Sequence, residues 1–280
     1  MPALVSVVVP AYNNAAYIAP TLDSILAQTY PNLEIVVADH ASTDGTRAIL
    51  ESYDDPRLRL LDTPRGGGAP RNWNRVSQEA SGEYVKLVCG DDLLHPDAVQ
   101  RQVGVLEANS SVVLAASQRD LVDARGTVFV KRRGLGRLDG LVSGPDAVRA
   151  TVRSGTNLFG EPACVTMRRS ALAAAGWWDS GKAYYIDAGT YAAVLEHGDA
   201  FALRESLAAF RVSASQWSVR LLREQQRQAA EFHEEQRGRF PATVSTSDVR
   251  RGDAMAHLAA LQRRLAYQAL GRRMRPLAES

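Results

Sequence analysis

The first third of the chain alternates short apolar runs with amphipathic stretches. Residues 5–9, 33–38 and 84–88 form compact apolar runs, which are typical of strands buried on both faces of a sheet. Residues 17–28 and 97–109 have helical spacing. A strand, a loop, a helix and a second strand form a βαβ unit. The pattern therefore predicts an α/β fold built on a parallel sheet.

The pattern changes after about residue 118. Between 121 and 140 a turn signal at residues 123–127 separates β-prone residues and predicts a hairpin. After residue 217 the chain is rich in Arg, Glu and Gln at helical spacing, and a second long helix is predicted to begin after an N-cap at Ser247. We divide the chain into residues 1–118 and 119–216, two halves of one domain, and a helical extension at 217–280.

Composition and charge argue against several classes of protein. The chain has 280 residues, 45% of them hydrophobic, enough for one large core, and a net charge of +2 argues against a dedicated nucleic-acid binder. Two cysteines give no disulfide framework and are typical of a reducing compartment. No apolar run approaches the ~20 residues that span a bilayer, and the start lacks a signal-peptide pattern. We therefore expect a cytoplasmic protein.

Polar residues lie at or after the ends of the predicted strands. Asp39 follows residues 33–38, the pair Asp91-Asp92 follows residues 84–88, and Arg71 lies near another such end. Ligands of open parallel sheets bind beyond the carboxyl ends of the strands. A carboxylate pair there can hold Mg²⁺ or Mn²⁺ against a diphosphate, although an acidic pair is also a common turn. The pattern suggests a nucleotide-sugar site.

The ordered set of motifs resembles the inverting family 2 glycosyltransferases of GT-A fold. The resemblance covers roughly residues 4–218 and is most specific in its first half. The stronger matches are Val7-Val8-Val9-Pro10-Ala11-Tyr12-Asn13, Ile35-Val36-Val37-Ala38-Asp39, Ser42-Thr43-Asp44-Gly45-Thr46, Pro70-Arg71-Asn72, Gly82-Glu83-Tyr84, Cys89-Gly90-Asp91-Asp92 and Pro96. The weaker matches are Glu161-Pro162, Arg168-Arg169, Gly176-Trp177-Trp178-Asp179, Asp187 and Phe210-Arg211.

The resemblance implies a Rossmann-like, mostly parallel central sheet flanked by helices, here with a helical carboxyl-terminal extension. Residues 1–118 would bind a nucleoside diphosphate sugar, with UDP or dTDP favoured, and residues 119–216 would shape the acceptor side. The implied reaction transfers the sugar, with inversion, to a hydroxyl of a glycan or lipid-linked acceptor. It would depend on Mn²⁺ or Mg²⁺.

The resemblance also assigns roles to residues. Asp39 would accept a hydrogen bond from the base, Arg71 would face the diphosphate or base, Asp91 would bind the metal and Asp92 would orient a water near it. The implied nucleotide site comprises Pro10, Ala11, Tyr12, Asn13, Asp39, Arg71, Gly90 and Asp91, and the implied metal site comprises Asp91 and Asp92.

Inversion requires a base that takes the proton of the acceptor hydroxyl, and the matching position is Asp187. Its motif departs from the family pattern, because Ile186 replaces the expected acid and Ala188 the usual aromatic residue. A structural alternative is that Asp187 is the N-cap of a helix over residues 188–196, and both roles can coexist. Asp179 is the second candidate for the base.

Two further departures concern the metal and the diphosphate. Cys89 stands where the family usually has Asp, and we expect a buried apolar thiol there because hard cations prefer oxygen. Ser213 stands where relatives often carry His. Residues 216–218 would either close the site or anchor the following helix. These departures leave open a second function, a non-catalytic sugar-nucleotide-binding subunit that supports a partner enzyme.

The carboxyl-terminal helices offer two kinds of contact. Their arginines could meet anionic lipid at the inner face of a membrane, although glutamates dilute the positive charge. Leucines at 258, 261 and 265 could instead form a homodimer contact. We favour packing or dimerisation over membrane contact.

Overall fold

The computed structural model describes residues 2–179, 181–213 and 224–274. One sheet contains ten strands: β1 (Val5–Ala11), β2 (Leu33–Asp39), β3 (Leu58–Asp62), β4 (Tyr84–Leu87), β5 (Leu93–Leu94), β6 (Val112–Val122), β7 (Val128–Arg133), β8 (Gly140–Val142), β9 (Val165–Arg168) and β10 (Asp199–Arg211). Within the described residues the α-helices are α1 (Ile18–Leu26), α2 (Thr46–Glu51), α3 (Gly68–Gln78), α4 (Ala98–Ala108), α5 (Gly144–Ser154), α6 (Arg169–Ala174), α7 (Ile186–Val194), α8 (Gln225–Arg239) and α9 (Thr246–Leu270). Short 3₁₀ helices lie at Pro162–Cys164 and Gly271–Met274.

The sheet has the strand order β3-β2-β1-β4-β9-β6-β10-β5, with β7 paired to β6 and β8 paired to β10. The longer pairings, β1 with β2, β2 with β3, β1 with β4 and β6 with β10, are parallel. The antiparallel pairings join only two or three residues each. The predicted α/β fold with a mostly parallel central sheet is therefore confirmed.

The core lies on both faces of the sheet. All seven residues of β1 are buried, which explains the largely apolar run, interrupted only by Ser6, that predicted the strand. Ile18, Leu22 and Ile25 of α1 recur at helical spacing and are fully buried in the same core. In the described part of the chain no helix is long and apolar enough to cross a bilayer.

β1 runs two residues beyond Val9, the last residue of the predicted strand. Pro10 pairs in register with Ala38, and Ala11 pairs with Asp39. The pairing with β4 ends at Val8, so β1 is an open edge on that side beyond this point. A proline is tolerated at such an edge because its missing N–H is not needed there.

The predicted hairpin is present at β6 and β7. The Asp123 carboxylate accepts hydrogen bonds from the Arg125 and Thr127 amides, at 2.9 and 3.0 Å, and so closes the turn. Gly126 has φ +83°, a conformation that favours glycine.

The predicted start of the last helix is wrong by two residues. The N-cap of α9 is Ser245, whose hydroxyl accepts from the Asp248 amide at 3.2 Å while the Asp248 carboxylate accepts from the Ser245 amide at 3.0 Å. Ser247 has Arg250 three residues later and cannot form this reciprocal pair. The buried Asp248 also pairs with Arg149 and Arg153 of α5, which docks the helix on the domain. The division at residues 118 and 216 stays a prediction.

One buried asparagine joins three strand ends. The Asn72 amide group donates to the carbonyls of Ala11 and Ala38, at 3.2 and 3.1 Å, and its oxygen accepts from the Thr63 hydroxyl at 2.7 Å. Ala11 ends β1, Ala38 belongs to β2 and Thr63 follows β3. The Asn72 side chain therefore holds the carboxyl ends of β1, β2 and β3 in place relative to one another.

Asn72→Ala should lower the free energy of unfolding by about 2–4 kcal/mol, because it removes three buried side-chain hydrogen bonds and leaves the Thr63 hydroxyl without its acceptor. Urea denaturation measures this change. Asn32→Ala is the control, since Asn32 is only half-buried and its side chain bonds only the Pro2 carbonyl among the described contacts. Equal losses in the two variants would contradict the role of Asn72.

Candidate active site

The loops after β1, β2 and β4 contact one another at the carboxyl edge of the sheet. The Asn13 amide donates to the Ser42 hydroxyl at 3.0 Å, and the Asn13 side chain accepts from the Thr43 amide at 2.8 Å. Gly90, after β4, packs so closely on Asn14 that a Cβ atom would lie 2.6 Å from its side-chain oxygen. The structure thus brings the predicted segments at residues 10–13, 39 and 90–91 together.

Asp39 is buried, and only one of its two carboxylate oxygens accepts a hydrogen bond from the described residues. Its side chain is 5% exposed, and Oδ2 accepts from the Ser42 amide at 3.3 Å. Oδ1 is buried and has no hydrogen-bond partner among the described residues. A buried acceptor without a donor is costly, so this oxygen suits a ligand N–H. Tyr12 is 55% exposed beside His40, with ring centroids 5.8 Å apart, and offers an aromatic face.

Arg71 lies in the first turn of α3 rather than in a loop, and it is exposed. Its guanidinium donates to the Arg65 carbonyl at 3.1 Å. Gly67 precedes the helix with φ +76°, and a Cβ atom there would lie 2.8 Å from the Arg71 side chain. Contact of Arg71 with a diphosphate or base stays a prediction.

The two aspartates after β4 have different environments. Asp92 is buried, and its carboxylate accepts from the Arg211 amide at 3.2 Å. Burial and the charge of Asp91 raise the pKa of Asp92 well above its usual range. Asp91 is partly buried, and its carbonyl accepts from the Arg211 guanidinium at 3.0 Å. Asp91 is therefore the more accessible carboxylate for a cation.

Cys89 is half-buried and packs against the core, as expected for an apolar thiol. The Asp92 amide donates to the Cys89 carbonyl at 3.1 Å and closes the turn after β4. Desolvation, with the charges of Asp92 and Asp91, raises the pKa of Cys89 well above its usual range. A neutral thiol is a poor ligand for a hard cation.

A metal centre made of protein ligands alone is not seen in the described ranges. Across residues 2–179, 181–213 and 224–274, no group of three or more His, Cys, Asp or Glu side chains could hold an ion. The arrangement fits a hard cation held by an Asp91 oxygen and completed by ligand oxygens and water, as Mg²⁺ commonly is.

Asp187 is not the N-cap of its helix. The helix begins one residue earlier, at Ile186, and its N-cap is Tyr185, whose carbonyl accepts from the Gly189 amide at 2.8 Å. The Asp187 carboxylate accepts from the Ala188 amide at 2.7 Å and from the Asn157 side chain. Burial, with the charge of Glu161, raises the pKa of Asp187 to about 7. A carboxyl with this pKa can take a proton near neutral pH.

The other candidates have structural roles. Asp179 accepts from the Gly181 amide at 2.7 Å and its amide donates to Thr190, so it shapes the loop before α7. Trp178 is buried in the core and its indole donates to Ser77 at 2.8 Å. Ser213 is buried two residues after the end of β10. The predicted closing segment at 216–218 lies outside the described residues.

Arg119 was missed by the sequence analysis. It is buried on β6 and forms an ion pair with Glu161. Glu161 was noted only as a weak match, and nothing local marks Arg119, since 42 residues separate the partners. Gly134 and Gly160 make room for the guanidinium, but glycines in two loops do not by themselves indicate an ion pair.

Comparison with known proteins identifies the family. The model of glycosyl transferase family 2 matches residues 6–175, more than half of the chain. The chain therefore belongs to glycosyl transferase family 2, as its motifs imply. It is 37% identical over 102 residues to a putative teichuronic acid biosynthesis glycosyltransferase, TuaG, of Bacillus subtilis, and 37% identical over 131 residues to the glycosyltransferase GlyG of Streptococcus pneumoniae.

These matches cover 36% and 46% of this chain and 40% and 44% of the relatives, so the chain matches less than half of their length. Among solved structures, S. aureus TarS in complex with UDP-GlcNAc has a TM-score of 0.65 at 20% identity, over 82% of this chain and 66% of TarS. The mannosyltransferase PcManGT of Pyrobaculum calidifontis, in complex with GDP-Man and Mn²⁺, has a TM-score of 0.62 at 20% identity, over 95% and 79%. These likenesses confirm the GT-A fold.

The raised pKa of Asp187 predicts that the free energy of unfolding depends on pH. Between about pH 4 and pH 7 an unfolded Asp has lost its proton while the folded Asp187 retains it, so the free energy of unfolding falls as pH rises through this range. Asp187→Asn removes this dependence. Its stability relative to the wild type should therefore increase from about pH 4 to about pH 7 in urea denaturation. Asp54→Asn, at an exposed position, is the control, and a pH-independent difference for Asp187→Asn would contradict the assignment.

Proposed function

We propose that the chain transfers a sugar from a nucleoside diphosphate sugar, with UDP or dTDP favoured, to a hydroxyl of a glycan or lipid-linked acceptor, with inversion and with Mn²⁺ or Mg²⁺. One observation carries the proposal. Asp39 with a buried unmatched oxygen and Asp91 as an accessible carboxylate follow strands that end at the carboxyl edge, and Asp187, with a pKa of about 7, lies within electrostatic reach of Cys89 in the same loop as Asp91.

The nucleotide end of the site is formed by Asp39 and the residues 10–13. An Asp39 oxygen without a donor fits the ring N–H of uracil or thymine, which would satisfy it on binding. Tyr12 provides an exposed ring beside the same loop. The TarS structures with UDP and UDP-GlcNAc support a pyrimidine nucleotide, and the PcManGT structure with GDP-Man shows that this fold also serves a purine nucleotide.

The diphosphate would lie between Asp91 and Arg71. A bound cation supplies charge neutralisation as the diphosphate leaves. Asp91 would hold that cation, Arg71 would bind phosphate oxygens through its guanidinium, and Asp92 would keep the Asp91 loop in place through Arg211. The Mn²⁺ in the PcManGT complex supports a divalent cation.

Asp187 would act as the base. As the acceptor oxygen forms its bond to the anomeric carbon, the bond from that carbon to the diphosphate oxygen breaks on the opposite face. The hydroxyl proton passes to an Asp187 carboxylate oxygen, which the Ala188 amide and the Asn157 side chain hold in position. Attack from the face opposite the leaving group inverts the configuration.

A second function is favoured by specific substitutions. Cys89 provides a neutral thiol where the family usually has a carboxylate, and Ser213 is a buried hydroxyl where relatives often have an imidazole. A chain altered in this way could bind a sugar nucleotide and support a partner enzyme without turnover. Metal-dependent release of nucleoside diphosphate separates the two functions, because only the enzyme produces it.

We also propose a homodimer contact on α9 and retain a cytoplasmic location as a prediction. Leu258, Leu261 and Leu265 are 44%, 50% and 59% exposed on one side of the helix, which supports a partner surface. Exposed Arg250 and Arg251 on the same helix support the alternative, peripheral contact with anionic lipid.

The first test is thermal stabilisation by UDP, dTDP and GDP with and without Mn²⁺. A ligand that binds only the folded state raises the melting temperature, so a Mn²⁺-dependent rise with UDP or dTDP is expected. Asp91→Ala should abolish the Mn²⁺-dependent part, whereas Asp54→Ala, exposed ahead of β3, should retain it. No rise with any nucleotide would contradict the donor site.

The second test is turnover. Asp187→Asn should lower the rate of donor cleavage or transfer by about 10²–10⁴-fold while the affinity for the nucleotide is retained, because only the proton acceptor is lost. Asp179→Asn is the matched control and should retain most activity. An active Asp187→Asn variant would eliminate Asp187 as the base, and a wild type that binds nucleotide tightly without turnover would favour the binding subunit.

A further inference from the structure

A buried ion pair lies beside the proposed base. Arg119 is 8% exposed on β6, and its guanidinium donates to Glu161 Oε1 at 3.1 Å while its Nε contacts Oε2. The Glu161 side chain is 24% exposed, although Oε2 is buried against Arg119. Glu161 is therefore held by a buried cation, and its side chain is not wholly covered by the protein.

Two glycines leave room for the Arg119 guanidinium in this pair. Gly134 and Gly160 have φ +111° and +84°, and a Cβ atom at these positions would lie 2.8 and 2.7 Å from Arg119 Nη1. Larger residues would displace the guanidinium as well as strain the backbone. Two independent loops thus depend on glycine at the points where they approach Arg119.

Register places the pair at the edge that holds the site. β9 is antiparallel to β4, with Val85 opposite Met167, so the start of β9 and the preceding Glu161 lie beyond the carboxyl end of β4. β6 is antiparallel to β9, with Ala116 opposite Val165, so Arg119 lies towards the same edge. Glu161 therefore lies at the edge to which Cys89-Gly90-Asp91 also belongs.

The segment around Glu161 is tied to the base and to the core. The Asn157 side chain donates to the Gly160 carbonyl at 2.7 Å and also donates to Asp187. On the other side of Glu161, fully buried Lys86 donates to the Ala163 carbonyl at 2.6 Å. The negative charge of Glu161 contributes to the raised pKa values of both Asp187 and Asp92, so it lies within electrostatic reach of each.

We propose that Glu161 binds hydroxyl groups of the sugar that is transferred. The inference rests on the proposed function, in which the donor runs from Asp39 past Asp91 and its anomeric carbon faces Asp187. The sugar ring follows the diphosphate and therefore lies beside the carboxylate that stands near both Asp92 and Asp187. An ionised carboxylate only accepts hydrogen bonds, and sugar hydroxyls donate them. The ligand class is a hexose or N-acetylhexosamine with free hydroxyls on this side.

The test compares the affinity for a sugar nucleotide with that for its nucleotide alone. Isothermal titration with Mn²⁺ would use UDP, UDP-glucose, UDP-N-acetylglucosamine, dTDP, dTDP-glucose, GDP and GDP-mannose. Glu161→Gln should weaken binding of the preferred sugar nucleotide by about 10–100-fold, the loss expected for hydrogen bonds to a charged group, and should leave binding of the parent nucleotide unchanged.

Glu34→Gln is the matched control. Glu34 is also a partly buried glutamate that accepts backbone hydrogen bonds, from Ser81 and Gly82 at 2.6 and 3.1 Å, but it lies near the amino end of β2. Its variant should bind both classes of ligand like the wild type. If Glu161→Gln fails to unfold cooperatively, Glu161→Asp retains the charge, withdraws the carboxylate by one methylene and should show the same selective loss.

The outcomes separate the inference from the function on which it rests. Equal weakening of nucleotide and sugar nucleotide, or no weakening of either, would overturn the role of Glu161 and leave the proposed function standing. A wild type that binds none of the seven ligands would overturn both. Selective loss for the sugar nucleotide would support the role of Glu161, because a merely structural residue would affect both ligand classes.

Discussion

The common carboxyl edge of four parallel strands is the constraint on which the rest of the structure depends. Register aligns β3, β2, β1 and β4, and the Asn72 side chain bonds the ends of β1 and β2 and the residue after β3. Because these ends are fixed, loops that are far apart in sequence meet and exchange hydrogen bonds. Asp39 and Asp91 of the proposed donor site lie at this edge.

Around the edge, similar carboxylates are held in different environments. Asp92 is buried against the Arg211 amide and its pKa is raised, whereas Glu161 has the guanidinium of Arg119 as its partner. Asp187 accepts hydrogen bonds from two neutral donors, the Ala188 amide and the Asn157 side chain, and its pKa is about 7. Different environments allow groups of one chemical type to serve different roles, which is how a site combines a base with fixed hydrogen-bond acceptors.

The sequence predicted what local patterns determine. The buried apolar runs predicted the strands, and the motif around Asp39 and Asp91 predicted which loops would meet, because parallel strands share an edge. Helix starts were less certain: Ser245 and Ser247 are equally good caps by type, and only the position of Asp248 distinguishes them. Asp187 has the same ambiguity, since helix geometry depends on the Tyr185 carbonyl rather than on the aspartate.

The Arg119–Glu161 pair could not be predicted, because its partners meet only through the pairing of β6 and β9. The different burial of the neighbours Asp91 and Asp92 likewise depends on how the loop after β4 turns and not on their residue type. Tertiary packing decides such features, and a single sequence carries no local signal for them.

A crystal structure with UDP and Mn²⁺ tests the central claim most directly. The account predicts that the uracil ring N–H lies within hydrogen-bond distance of Asp39 Oδ1, with the diphosphate beyond it and Mn²⁺ on an Asp91 oxygen. A nucleotide bound away from the carboxyl edge, or a base that leaves Asp39 Oδ1 without a donor, would contradict it.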